Sequence, residues 1–123
     1  MDITNEIIQY IQKNRVSTTE VADCLGKTGV LKDIFPLNRQ HFAVGEIHYL
    51  YAIQKYNWTV HEDLDRTPVS GKIVLVDAVD VGERAIIGDI VSKYILLYLQ
   101  NKAIVSTGKM RDAHILLKEN YPI

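Results

Sequence analysis

An α/β fold built on a parallel sheet is what this sequence predicts, and three observations carry that prediction. Lys72–Ala78, KIVLVDA, is a continuous apolar run of the kind seen in a strand buried on both faces. Behind it, strand-like and helix-like segments alternate as β-α-β-α-β, the order that lays parallel strands under packed helices. Ahead of it, Ile3, Ile7, Ile8 and Ile11 recur at helical spacing between polar residues, so the chain opens on an amphipathic helix.

That first helix is expected to end near Asn14–Arg15. Ser17-Thr18-Thr19-Glu20 then has the form of a capping box, in which the Ser17 hydroxyl and the Glu20 carboxylate each satisfy a backbone N–H at a helix start. Val21, Ala22 and Leu25 supply the inner side of this short helix, with Cys24 beside them as a buried, inert thiol. Gly26 is placed to end it in the left-handed conformation. Gly29, Pro36 and Asn38 mark irregular chain up to Gln40. His41–Ile53, rich in Phe, Val, Ile and Tyr and partly alternating, reads as one or two strands. Gln54–Arg66 reads as a loop entering a short helix, and Thr67–Gly71 as a turn.

After the Lys72–Ala78 strand a polar connection through Gly82 leads to a helix from about Gly88 to Gln100. Ala103–Thr107 is the next strand, closed by Gly108. A helix from about Arg111 to Glu119 follows, and Tyr121-Pro122-Ile123 opens a further extended segment. The expected division is an N-terminal helix, 1–16, and an α/β domain, 17–123.

Composition narrows the function. Of 123 residues, 14 are basic and 15 acidic, a formal net charge of -1, with the basic residues scattered. Nothing here forms the basic stripe of a nucleic-acid binder, and no nucleic-acid partner is expected. No apolar stretch reaches the roughly 20 residues a bilayer span needs. The polar, acidic N-terminus is unlike a signal peptide. The single cysteine excludes an intrachain disulfide and a Cys-rich metal cluster. A cytoplasmic protein with no membrane partner is the expectation.

Two segments stand where parallel α/β sheets gather ligands, beyond the carboxyl ends of strands and beside helix starts. In Gly88-Asp89-Ile90-Val91, a glycine opening a helix lets a ligand approach the free amides of the first turn, an anion site favoured by the helix dipole. Asp89 is the carboxylate available there for proton transfer. In Gly108-Lys109-Met110-Arg111-Asp112, Arg111 offers a planar fork for a carboxylate and Asp112 a hard oxygen for Mg²⁺ or Mn²⁺. Each has a structural alternative. Asp89 would complement the dipole of its own helix, Asp112 would cap the last helix, and Arg111 would make a surface ion pair. Both segments are expected at the same edge of one sheet.

The resemblance of this sequence to the RraA-like family rests on several segments in order. Ser17–Gly26 resembles the family's opening "S-T-x-x-x-x-D-A-L-G" segment. Gly29–Leu31, Pro36–Leu37, Phe42–Gly45, Gly71–Asp77 and Glu83–Asp89 continue the pattern, and Gly108–Asp112 resembles its "G-x-x-R-D" motif. The resemblance implies a swivelling β/β/α domain with a largely parallel central sheet and flanking helices, assembled as a homotrimer or hexamer. It implies either a divalent-metal-dependent lyase cleaving a small 2-oxo acid through a pyruvate enolate, of aldolase or oxaloacetate decarboxylase type, or a non-catalytic regulatory protein with a protein partner. Under the first, Gly88, Asp89, Ile90 and Val91 bind the 2-oxo acid with Arg111. Asp89 and Arg111 are catalytic, and Asp112 holds Mg²⁺ or Mn²⁺. The chain departs from the pattern at Gly45-Glu46-Ile47, where the family often has Gly-Pro-Ala, and at Ala103, where glycine is common. It also carries one residue more than usual between Gly88 and Arg111. Relatives run on past the equivalent of Ile123, so the resemblance implies a domain shortened at its C-terminal end.

Four further groups invite a role. His61-Glu62-Asp63-Leu64-Asp65 matches no metal loop and reads as a solvated helix start. Asp77, Asp80 and Glu83 follow the strong strand, with Asp77 the one best placed for a cleft. Tyr49, Tyr51, Tyr56 and Trp58 form either a stacking platform or, by their chemistry, core and subunit-interface packing. His41, His48 and His114 have no partner visible in sequence.

Overall fold

The structure, a computed structural model, describes residues 2–53 and 58–123. By its contacts the chain divides into two units, Met1–Phe35 and Pro36–Ile123.

The first unit holds α1 (Ile3–Asn14) and α2 (Thr18–Cys24). The Asp2 carboxylate accepts from the Thr4 N–H at 2.6 Å and starts α1, and Arg15 closes it in the left-handed region. The periodicity of its isoleucines forms the helix but does not cover it, since α1 has no buried residue. At α2 the capping box is complete. Ser17 Oγ accepts from the Glu20 N–H at 3.2 Å, and the Glu20 carboxylate accepts from the Ser17 N–H at 2.8 Å. Gly26, at φ 75°, ends the helix with the paired bonds Lys27 N–H to Ala22 O, 2.7 Å, and Gly26 N–H to Asp23 O, 3.1 Å. Ala22 is the one residue α2 buries. Cys24 is exposed, against expectation. It stands two residues past Ala22, about 200° round a helix of 3.6 residues per turn, and so faces away.

In the second unit, β1 (Ile47–Ile53), β2 (Ile73–Val79) and β4 (Ala103–Ser106) form a three-stranded parallel sheet in the order β1-β2-β4. Strand β1 begins later than the His41–Ile53 run predicts. Its first residue, Ile47, is the register partner of Ile73, and β2 starts there, after the turn at Gly71. Residues 41–46 have no strand to pair with. The charge of Glu46 beside β1 is met by Lys72, just ahead of β2, at 2.7 Å.

Alternation sends Leu50 and Ala52 of β1, Val74 and Val76 of β2 and Ile104 of β4 to one face, all buried. Over them pack Val60 and Leu64 of α3 (Trp58–Arg66), Ile95 and Leu96, and Leu116 of α5 (Ala113–Lys118). The C-terminal residues run beside β4, with the Ile104 N–H donating to Pro122 O at 3.0 Å.

Two elements were not expected. Between β2 and the next helix lies β3 (Ala85–Ile87), and after β4 lies β5 (Lys109–Met110); they pair in parallel as a separate two-stranded sheet. The helix read as Gly88–Gln100 is α4 (Asp89–Lys93) continued by a π-helical stretch, Tyr94–Tyr98. Leu99 N–H bonds back five residues to Tyr94 O at 2.9 Å. A turn closed over five residues is wider than the α-helical one and continues the helix without breaking it.

Candidate functional site

The short sheet brings the two candidate segments together. Parallel pairing sets Ile87 against Met110, so the residues that follow, Gly88 and Arg111, leave the same edge side by side. The Arg111 N–H donates to Ile87 O at 2.7 Å and locks this register. A Cβ on Gly88 would stand 3.0 Å from Asp112 Oδ2, 3.2 Å from Arg111 Cβ and 3.4 Å from Arg111 Nε. Glycine is needed at 88 for this close approach; its φ of -130° is ordinary extended backbone. The convergence expected at one large sheet thus occurs at the carboxyl edge of the small one.

Asp112 sits at the N-cap position of α5 in the left-handed conformation, φ 57°, yet its side chain makes no capping bond. Its carboxylate reaches across to α4, where Oδ2 accepts from the Asp89 N–H at 3.3 Å. A non-glycine residue in this conformation costs on the order of 1–3 kcal/mol, a cost that persists where surroundings hold the residue for another purpose. The capping alternative for Asp112 is therefore not what its side chain does. Among the described residues the Arg111 guanidinium makes no ion pair, and the residue is exposed.

On α4 the first bond back along the helix is Ser92 N–H to Gly88 O, 3.0 Å. The amides of Asp89, Ile90 and Val91 precede it and have no acceptor within the helix. Asp112 takes the first of these. The Asp89 carboxylate is divided. Oδ2 pairs with Lys93 at 3.1 Å, whereas Oδ1 is buried with no hydrogen-bond partner. The hydrogen bond to Asp89 raises the Lys93 pKa, so that ammonium stays charged throughout the neutral range. Ser92 Oγ, on a fully buried residue, also lacks a partner. From Ile90, Val91 and Tyr94 a mainly apolar groove of about 210 Å³ runs to His61, Leu64 and Asp65 of α3.

The Asp89 Oδ1 is buried, so the donors a divalent cation can reach here are the exposed carboxylate oxygens of Asp112. These are hard oxygens of the kind Mg²⁺ takes one or two of while keeping several waters. Among the described residues no three His, Cys, Asp or Glu side chains gather to hold a metal ion.

Of the other tempting residues, His61 and Asp65 line the groove from α3. His61–Asp65 lies within α3, where Asp63 bonds His48 Nε2 at 2.9 Å and Glu62 pairs with Arg66 at 3.7 Å. His41 Nε2 meets Asn120 O at 2.6 Å. These histidine partners lie 15 and 79 residues away in sequence, which is why no local signal announced them. Asp77 accepts from the Tyr49 and Thr107 hydroxyls, and its bond to Tyr49 raises that phenol's pKa. Glu83 pairs with Lys109, and Asp80 adopts φ 59°. Tyr49 and Tyr51 stack at 6.5 Å. Tyr56 and the side chain of Trp58 lie outside the described residues.

Comparison with known proteins bears on this geometry. The family model RraA-like, Aldolase/RraA, matches residues 18–123. Among solved structures the chain is similar to an uncharacterized protein from Pseudomonas syringae pv. tomato str. DC3000. The TM-score is 0.71 and the identity 20%, over 99% of this chain and 56% of that one. The likeness is one of fold, and the chain spans little more than half of that protein's length. No curated protein matches the sequence.

Proposed function

The chain belongs to the RraA-like family, which covers aldolases and decarboxylases as well as non-catalytic regulators, and from that premise we propose that it is a divalent-metal-dependent lyase of small 2-oxo acids. The observation that supports this reading is the close approach of Arg111 and Asp112 to Gly88 beside the open start of α4, where an added Cβ on Gly88 would stand 3.0–3.4 Å from their side chains. An unpaired guanidinium and free amides on one side, with carboxylate oxygens on the other, make a pocket that takes an anion and a cation together.

The residues divide the work as follows. Arg111 and the amides of Ile90 and Val91 bind the substrate carboxylate and fix its orientation. The groove toward Leu64 and Tyr94 holds the part of the substrate remote from that carboxylate. Asp112 holds Mg²⁺ or Mn²⁺, which when bound supplies Lewis-acid stabilisation of charge developing on the keto oxygen. Carbon–carbon cleavage leaves its electron pair on the pyruvate fragment as an enolate. Arg111 and the helix amides supply positive charge and donors for that developing charge. Asp89, anchored through Oδ2 by Lys93, moves a proton through Oδ1, either directly or through a water.

A second reading is favoured by the spare donor set: two carboxylates and an exposed arginine also suit a regulatory protein that binds a small anion without chemistry. Both are tested by following pyruvate release from oxaloacetate with and without Mg²⁺. The lyase reading expects metal-dependent turnover, lost in Arg111→Ala and Asp112→Ala. Turnover that survives Asp112→Ala overturns it, and pyruvate binding without turnover supports the second reading.

A further inference from the structure

The groove between α3 and α4 has a chemistry of its own. His61, Leu64 and Asp65 follow the i, i+3, i+4 spacing of one face of α3, and Ile90, Val91 and Tyr94 oppose them from α4 and its π-helical continuation. Most of this lining is apolar: Leu64 is buried, and Ile90 is 82% exposed. The Tyr94 ring stacks on Tyr98 with centroids 5.2 Å apart and planes 14° from parallel, which fixes an aromatic wall. Among the described residues no Lys or Arg lines the groove. Arg66, next to Asp65 in sequence, pairs with Glu62, and Lys93 pairs with Asp89. The full charge on the lining is negative, that of Asp65, and the one basic group there, His61, is itself engaged.

We infer that the substrate is a 2-oxo monocarboxylate with a branched aliphatic or aromatic tail, and that the groove selects against a second carboxylate at the end of that tail. The inference rests on the reading of the Gly88–Asp112 edge as a 2-oxo acid site and supplies the chemistry of the ligand's other half. Continuity comes from Ile90 and Val91, whose amides are assigned to the substrate carboxylate and whose residues line the groove. Size agrees, since a cavity of about 150 Å³ takes a benzene ring and this groove has about 210 Å³. Charge makes the selection. A tail carboxylate would lose water against apolar walls and meet Asp65, a charge of its own sign. An apolar tail instead covers Ile90 and Tyr94, and each methylene buried is worth about fourfold in affinity. Oxaloacetate carries its second carboxylate on the reacting carbon and so has no tail beyond the site.

Titration calorimetry of the full chain in saturating Mg²⁺ tests this, with pyruvate, 4-methyl-2-oxopentanoate, 2-oxo-4-phenylbutanoate and 2-oxoglutarate as probes. The two acids with apolar tails are expected to bind on the order of tenfold or more tighter than pyruvate, and 2-oxoglutarate no tighter than pyruvate. Ratios of affinity taken within one protein cancel any loss of folded fraction in a variant. Asp65→Lys, at an exposed position, should raise the ratio of 2-oxoglutarate to pyruvate affinity on the order of tenfold. Tyr94→Ala should lower the ratio of 2-oxo-4-phenylbutanoate to pyruvate affinity by a similar factor. If 2-oxoglutarate binds tightest, or all four bind alike, the inference is overturned while the 2-oxo acid reading stands. It is equally overturned if Asp65→Lys leaves the first ratio unmoved or Tyr94→Ala the second, because the tail then lies outside the groove. Binding of none of the four overturns the inference and the 2-oxo acid reading together.

Discussion

The three-stranded sheet has two strands of seven residues, and its inner face is sealed under helices. The two-stranded sheet is a three-residue strand beside a two-residue strand, and its carboxyl edge opens on exposed polar side chains. The large sheet is held by apolar burial spread over many residues, each contributing a kilocalorie or more. The small one is held by two register pairs with an irregularity between them, and by contacts at Gly88 and Gly108 too close to admit another atom. Stability and the candidate chemistry are therefore carried by different sheets, and substitutions should separate them.

The largest separation is expected from Ile104→Ala, at the centre of the large sheet. Removing this buried side chain should cost about 2–5 kcal/mol, read as a lower urea midpoint, while pyruvate affinity per folded molecule holds. A comparable loss of affinity would break the division. Gly108→Ala strikes the junction between the sheets. A Cβ there would stand 2.8 Å from Ala78 Cβ of β2 and 3.2 Å from Ile86 Cγ1 of β3. Overpacking of this kind should cost about 1–3 kcal/mol and lower ligand affinity as well, since β5 must shift against β3.

How much of this was legible in the sequence follows the same line. KIVLVDA announced β2 as a strand, but not with the burial on both faces that its continuous apolar run suggested: Val74 and Val76 are buried, whereas Ile73 and Leu75 are only half-buried. The Ser17–Glu20 box announced α2 because its hydrogen bonds are local and were written in the residue types. Strands β3 and β5 left no such mark, since neither is long enough to show a period. The meeting of Gly88 with Arg111 was anticipated from their place after strands, but its cause, the Ile87–Met110 pairing, was not. Exposed Cys24 and bare α1 were missed for another reason: helical periodicity reports which side is apolar, not whether anything covers it. The division of the Asp89 carboxylate between Lys93 and an orphaned oxygen depends on packing and could not be read from a linear string.

Two smaller effects sharpen the contrast. Gly88→Ala forces Asp112 and Arg111 apart by a few tenths of an ångström. Pyruvate affinity should fall on the order of tenfold, about 1.4 kcal/mol, with thermal stability changed by less. Equal losses of affinity and stability would assign Gly88 to structure alone. The smallest effect is expected in the first unit. The Glu20 pKa is lowered from its ordinary 4.5, first by the Ser17 N–H and then by the Ser17 hydroxyl. A depressed folded-state value means that this stabilisation is complete above pH 4.5 and is lost as pH falls through the lowered value. Hydrogen exchange at α2 should accelerate in acid beyond its intrinsic pH dependence, and Glu20→Gln should blunt that change.

The central claim is that the edge of the small sheet forms one pocket for an anion and a cation. It is tested most directly by titrating pyruvate, with and without Mg²⁺, into isotope-labelled protein and following backbone amide resonances. The account predicts that the amides of Gly88–Val91 and of Arg111–Asp112 shift together with one affinity, that Mg²⁺ strengthens the effect, and that Arg111→Ala abolishes it. Shifts at Gly88–Val91 that persist unchanged in Arg111→Ala, or that leave Arg111 and Asp112 unmoved, would contradict it.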